Sequence, residues 1–182
     1  MGDQAFHQGR QEEAARHYSL AVDAARAAHG PELAAALNSL AAVERLEGRY
    51  DKAAGLYRQS AASLEKFVGA DPVELRTLYY DLAQVLSLAG KLKEADEAYG
   101  RFSDLAVGGA VAGGSELADE LVEAGQYFDL QRDHIAATKC YARALTIRER
   151  LLPPGSAAIT ELQEDIEAAK KSIRDEGAAP RP

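Results

Sequence analysis

One cysteine, Cys140, stands among 182 residues, so no disulfide can form within the chain. That scarcity suits a reducing, cytoplasmic setting better than a secreted scaffold stapled by disulfides. The stretch Met1 to His7 has no basic segment followed by an apolar run, and it is read as carrying no signal peptide. Met1-Gly2 does not begin a myristoylation motif, because Phe6 stands where Ser or Thr is required. No apolar stretch is long enough to span a bilayer, so no membrane association is expected. Positive charge is in short supply: 21 Lys and Arg face 29 Asp and Glu, for a net charge of −8. Nucleic-acid binding needs a basic stripe to neutralise phosphates, and it is not expected. Arg143, Arg148 and Arg150 do cluster, but Glu149 lies among them, and they read as a solvated helix face.

Catalytic and metal-binding sets are missing as well. His7, His17, His29 and His134 are scattered, with no His-Cys or His-Glu set at ligand spacing. Cys140 directly precedes Tyr141 on an expected helix and reads as a small structural thiol rather than a nucleophile. The glycine-rich run 107–115 contains Gly108-x4-Gly113-Gly114-Ser115, with glycine where a phosphate-binding loop needs lysine. No strand leads into it, so it reads as a connector. Neither an enzymatic activity nor a cofactor is expected.

What the chain does have is a recurrence. Ala14-x3-Tyr18, Ala53-x3-Tyr57, Ala95-x3-Tyr99 and Ala137-x3-Tyr141 follow one another at intervals of 39, 42 and 42 residues. Each follows a short polar turn: Gly9-Arg10, Gly48-Arg49, Gly90-Lys91 and Gln131-Arg132. Before each of the last three turns lies a helical face of large, large, small and large residues. It reads Leu37, Leu40, Ala41; then Tyr79, Leu82, Ala83, Leu86; then Leu121, Ala124, Gly125, Phe128. The small residue admits the following helix at close range, and the tyrosine of that helix fills the space beside it. Glycine then ends the first helix in a left-handed conformation; Arg132 takes that place in the fourth turn, at a cost of about 1 kcal/mol. Helices are expected at 2–8, 11–28, 32–47, 50–68, 72–89, 92–106, 115–130, 133–151 and 156–175.

This pattern resembles the tetratricopeptide repeat, in the long form found in kinesin light chains. Gly48-Arg49-Tyr50-Asp51-Lys52-Ala53 and Ala144-Leu145-Thr146-Ile147-Arg148-Glu149-Arg150 carry the likeness to the long form. The resemblance implies an all-α, right-handed α-solenoid of stacked antiparallel helix pairs with a C-terminal capping helix. Its repeats are expected at about 1–31, 32–71, 72–114 and 115–155, with the cap at 156–175 and a disordered tail at 176–182. In the cap, Ile159, Leu162, Ile166, Ala169 and Ile173 make the inward stripe, while Glu167 and Lys171 are spaced for an i,i+4 pair. At the other end the first helix has only its second half. Ala5 and Phe6 are therefore expected to cover the Tyr18 and Val22 face only in part, leaving an edge for self-association.

In such arrays the first helices line a concave groove that holds the ligand. The matching positions are Asn38, Ser39 and Arg45, then Tyr80, Asp81 and Gln84, then Glu123, Gln126 and Asp129, with Glu164 and Asp165 added by the cap. The long form commonly has asparagine where this chain has Ser39, Asp81 and Glu123. The implied function is a non-enzymatic protein-interaction scaffold, and the growing acidity of the groove favours a neutral or basic peptide. Two other readings stay open: a regulatory segment of a larger protein with an enzymatic or signalling domain, and a structural self-assembly element.

Overall fold

The computed structural model describes residues 2–26, 30–69, 71–108 and 114–178. Nine helices and no strand lie among them. They are α1 (Gly2–His7), α2 (Gln11–Ala25), α3 (Pro31–Leu46), α4 (Tyr50–Glu65), α5 (Pro72–Leu88), α6 (Leu92–Gly108), α7 (Ser115–Leu130), α8 (His134–Leu151) and α9 (Ala157–Ala178). The chain divides into two compact units, residues 1–102 and 103–182.

In the first unit each helix from α1 to α5 packs on its neighbours in chain order. The reason is local. A three-residue turn reverses the chain, and Gly9, Gly48 and Gly90 take φ values of 70°, 72° and 72° there. These are left-handed conformations that a side chain disfavours. The returning helix meets the first one through alanine: Ala14, Ala41, Ala53, Ala83 and Ala95 are all 0% exposed. Tyr57 and Tyr99 then lie buried beside those contacts. Pro72 opens α5, and the Asp71 carboxylate accepts a hydrogen bond from the Val73 N–H at 2.8 Å. Three helices are tied together where the Tyr79 hydroxyl and Arg101 both donate to Glu65, at 2.6 and 2.9 Å.

The expected open edge at α2 is half correct. Tyr18 is half-buried, packed with Ala5 and Phe6. Val22, one turn on, is covered after all, because its face of α2 looks onto Leu37 and Leu40 of α3. Glu44 breaks the apolar pattern: it holds the place of Leu86 and Phe128, yet it is 1% exposed. Burial pushes its carboxyl up, but hydrogen bonds and charge from Arg49 and Lys52 outweigh this and leave it below its ordinary value.

In the second unit α7, α8 and α9 pack in chain order. Ala137 and Ala144 are 0% exposed, and the Tyr141 ring lies directly on Gly125, where a methyl group would overlap it. Arg132 takes φ 64°, so the fourth turn keeps the left-handed geometry without glycine. The next residue helps: the Asp133 carboxylate accepts from the Ala136 N–H at 3.0 Å and caps α8. Cys140 is buried with its Sγ 3.4 Å from the Ser103 hydroxyl, and burial pushes the thiol up. Ile159, Leu162, Ile166 and Ala169 form the buried stripe of α9. Glu167 pairs with Lys170 at 2.8 Å rather than with Lys171, because i,i+3 positions also adjoin on a helix. Helix α9 runs through Ala178, so Gly177 belongs to the helix and not to a tail. The glycine-rich stretch 109–113 and residues 179–182 lie outside the described residues.

Two substitutions test this packing. Gly125→Ala gains about 1 kcal/mol of helix propensity but overpacks Tyr141 at a cost of about 1–3 kcal/mol. A net loss of about 1 kcal/mol in denaturant melts is expected, and unchanged stability would mean the ring has room to move. Arg132→Gly should raise stability by up to about 1 kcal/mol, less whatever glycine adds to unfolded-state entropy. A lower unfolding midpoint would show that the contacts of the Arg132 side chain outweigh its backbone strain.

Candidate functional site

The recurring tyrosine carries its hydroxyl through the helix pair to the side of the first helices. There the partner changes from repeat to repeat. Tyr18 donates to Asp3 at 2.6 Å, and burial together with that carboxylate pushes its hydroxyl up to about 12. Burial pushes the Tyr57 hydroxyl up and the Asp81 charge adds to the shift, while the charge and hydrogen bond of Arg45 oppose it. Tyr141 donates to Asp129 at 3.0 Å, and burial followed by Asp129 pushes it up. Arg45 and Asp129 occupy equivalent places in their repeats, so one structural contact exists in a cationic and an anionic version.

In the first unit the residues anticipated from the sequence fall into two groups. Arg45 donates to the Gln84 carboxamide oxygen at 3.5 Å, and Gln84 donates to the Tyr80 hydroxyl at 3.1 Å. The Tyr80 ring lies 6.4 Å from Tyr99 and 5.2 Å from Phe102, centroid to centroid, which fixes its position. Asp81 lies close enough for its charge to act on Arg45 and Tyr57. It is half-buried, burial pushes its carboxyl up, and Arg45 opposes that shift. Arg45 offsets only part of the cost of burying that charge. Asn38 and Ser39 lie about two turns earlier on α3, both half-buried.

Asn38 lines a recess of about 490 Å³ between α3 and α5. Ala34, Ala35, Leu64, Val73 and Leu78 give it an apolar floor, and Glu32 and Glu74 stand at its mouth with no cation in the lining among the described residues. The hydroxyls there are already engaged: Ser60 donates to the Ala34 carbonyl at 2.7 Å and Thr77 to the Val73 carbonyl at 3.0 Å. The Asn38 amide makes no hydrogen bond among the described residues. Sequence reasoning named Asn38 but missed Glu32 and Glu74. Their spacing of one repeat was the available signal.

The second unit is more acidic. Glu123 and Gln126 are exposed on α7, and Asp129 is half-buried. Asp129 accepts from Tyr141 and lies 2.9 Å from the Nδ1 of His134. Across from it on α9, burial pushes the Asp165 carboxyl up, and Asp129, Glu161 and Glu164 add like-charge repulsion. No group of three or more His, Cys, Asp or Glu side chains among the described residues is placed to hold a metal ion.

Comparison with known proteins follows the same lines. The family model for the tetratricopeptide repeat matches residues 1–66 and 32–106. No curated protein matches the chain. Among solved structures, BtubC (BKLC) of P. vanneervenii is 24% identical with a TM-score of 0.64, over 91% of this chain and 67% of that one. A kinesin light chain-type protein of Podosopora anserina, built of nearly identical TPR-like repeats, is 15% identical with a TM-score of 0.71 over 96% and 84%. MamA is 18% identical with a TM-score of 0.61, over 98% of both chains. These likenesses are of fold.

Asp165 offers a test of the acidic face. Its folded carboxyl is raised above the ordinary 3.8, so the folded state binds the proton more tightly than the unfolded one. Stability should therefore fall as pH rises from 3.8 through the folded value. Asp165→Asn should flatten that fall and gain about 0.2–1 kcal/mol at neutral pH. Urea melts across the acidic range check this, and an identical pH profile for the two proteins would place Asp165 away from its neighbours' charges.

Proposed function

Because the chain belongs to the tetratricopeptide-repeat family, whose fold commonly scaffolds protein–protein contacts, we propose that it is a non-enzymatic interaction module. The first-helix faces hold an extended segment of a partner, one with an apolar side chain flanked by neutral or basic residues. The observation that carries this reading is the recess beside Asn38. An apolar side chain fits its floor, the Asn38 amide offers a donor and an acceptor to a peptide backbone, and Glu32 and Glu74 stand where a flanking lysine or arginine would lie. Arg45, Tyr80, Asp81 and Gln84 form the polar continuation of this face in the first unit. Glu123, Gln126, Asp129 and Asp165 give the second unit a face of the same sign. Because Asp81 is half-buried while Glu32 and Glu74 are exposed, the preference for positive charge rests on Glu32 and Glu74 in the first unit, with Asp81 in a positioning role.

The test uses two labelled peptides sharing a central leucine, one flanked by lysines and one by glutamates. Fluorescence anisotropy should show the lysine-flanked peptide binding and the other not. Exposed ion pairs are worth only about 0.2–1 kcal/mol each, so Glu32→Lys with Glu74→Lys should weaken binding several-fold, and Asn38→Ala should weaken it independently of salt. Equal binding of both peptides, or parent-like affinity in all these variants, would contradict the proposal.

A further inference from the structure

A second cleft in the first unit has the opposite charge logic. It lies between α2 and α4, the second helices of their repeats, with the start of α3 as its floor. Its volume is about 640 Å³, within the range of ligand-sized sites. Val22, Leu33, Leu37 and Phe67 supply the apolar lining. Gly30 makes room for the ring: a methyl group there would come within 3.2 Å of Phe67, and φ at Gly30 is 93°. The backbone of Gly30 is held in place by Ser63, which accepts from its N–H at 3.2 Å and donates to its carbonyl at 3.1 Å. The apolar wall is thus fixed, yet Phe67 remains 46% exposed at the lip.

Among the described residues the charged lining consists of Arg26 and Lys66, with no carboxylate. In a chain of net charge −8 such a composition is selective for anions. Neither cation is strongly engaged. Arg26 meets Asp23 at 3.6 Å with both side chains largely exposed, and Lys66 makes no ion pair among the described residues. The cleft is an open trough whose aromatic wall faces solvent, so it cannot enclose most of a small molecule's surface as small-ligand sites do. It suits one side of a longer segment.

We propose that this trough binds a protein segment presenting an apolar side chain flanked by carboxylates. It is distinct from the first-helix face, and each can fail without the other. The probe is a labelled peptide with a central Leu-Phe pair flanked by glutamates. The intact protein should bind it. Lys66→Glu and Arg26→Glu should each weaken binding at least about threefold, since reversal removes an attraction and adds a repulsion. Ala62→Phe, at an exposed position in the lining, should abolish binding by filling the trough while the thermal melt stays unchanged. Ala35→Phe in the recess beside Asn38 should leave it intact. The proposal is overturned if the peptide does not bind, or if Ala62→Phe binds it as tightly as the parent. It is also overturned if a glutamate-flanked peptide with Gly-Gly in place of Leu-Phe binds equally, or if octanoate competes at concentrations matching the peptide.

Discussion

A tyrosine ring seated on the smallest residue of the preceding helix is the contact on which the rest of this structure depends. Where Tyr141 meets Gly125 there is no space for a methyl group. That closeness sets the distance between the two helices, which fixes where the left-handed turn must fall and which face of the next helix turns inward. A buried ring of this size contributes about 1.5–3 kcal/mol, so repetition of the contact supplies much of the core. The same ring passes its hydroxyl to the opposite side, where burial requires it to find a partner. Packing and the polar face are therefore linked through one residue type. The choice of Asp3, Arg45 or Asp129 as partner sets the local charge without altering the core.

Much of this is legible in the sequence. The Ala-x3-Tyr recurrence and the glycine turns located the helices to within a few residues, because both are consequences of backbone and side-chain geometry acting locally. The strained turn at Arg132 was readable for the same reason: the equivalent position of the other three turns is glycine. Other features were not readable. Glu44 stands where the pattern predicts a large apolar residue, and only the approach of Arg49 from the turn and Lys52 from the next helix explains its burial. The pairing of Glu167 with Lys170 instead of Lys171 is a choice between two neighbours of nearly equal energy. Val22 was placed on an open edge because the cover supplied by Leu37 and Leu40 comes from another repeat.

The candidate site shows the same division. Repeat spacing placed Asn38, Tyr80, Asp81, Gln84, Glu123 and Asp129 on first helices, and the structure joins Arg45, Tyr80 and Gln84 in one network. Spacing alone could not separate an exposed carboxylate from a half-buried one. Asp81 is drawn into the interior beside Arg45, while Glu32 and Glu74 remain at the mouth of an apolar recess. Nor could spacing reveal a trough on the second-helix side, since it is formed by what Gly30 lacks and by where Phe67 comes to rest. Two faces of one small unit thus present opposite charge around apolar floors, which is a physical basis for holding two different partner segments.

The most direct measurement is residue-resolved mapping of the lysine-flanked peptide on isotope-labelled protein by NMR titration. The account predicts saturable shifts at Asn38, Glu74, Thr77 and the neighbouring backbone of α3 and α5, with Arg26, Lys66 and Phe67 unmoved. Shifts confined to the α2–α4 trough, or scattered evenly over the acidic surface without saturation, would contradict it.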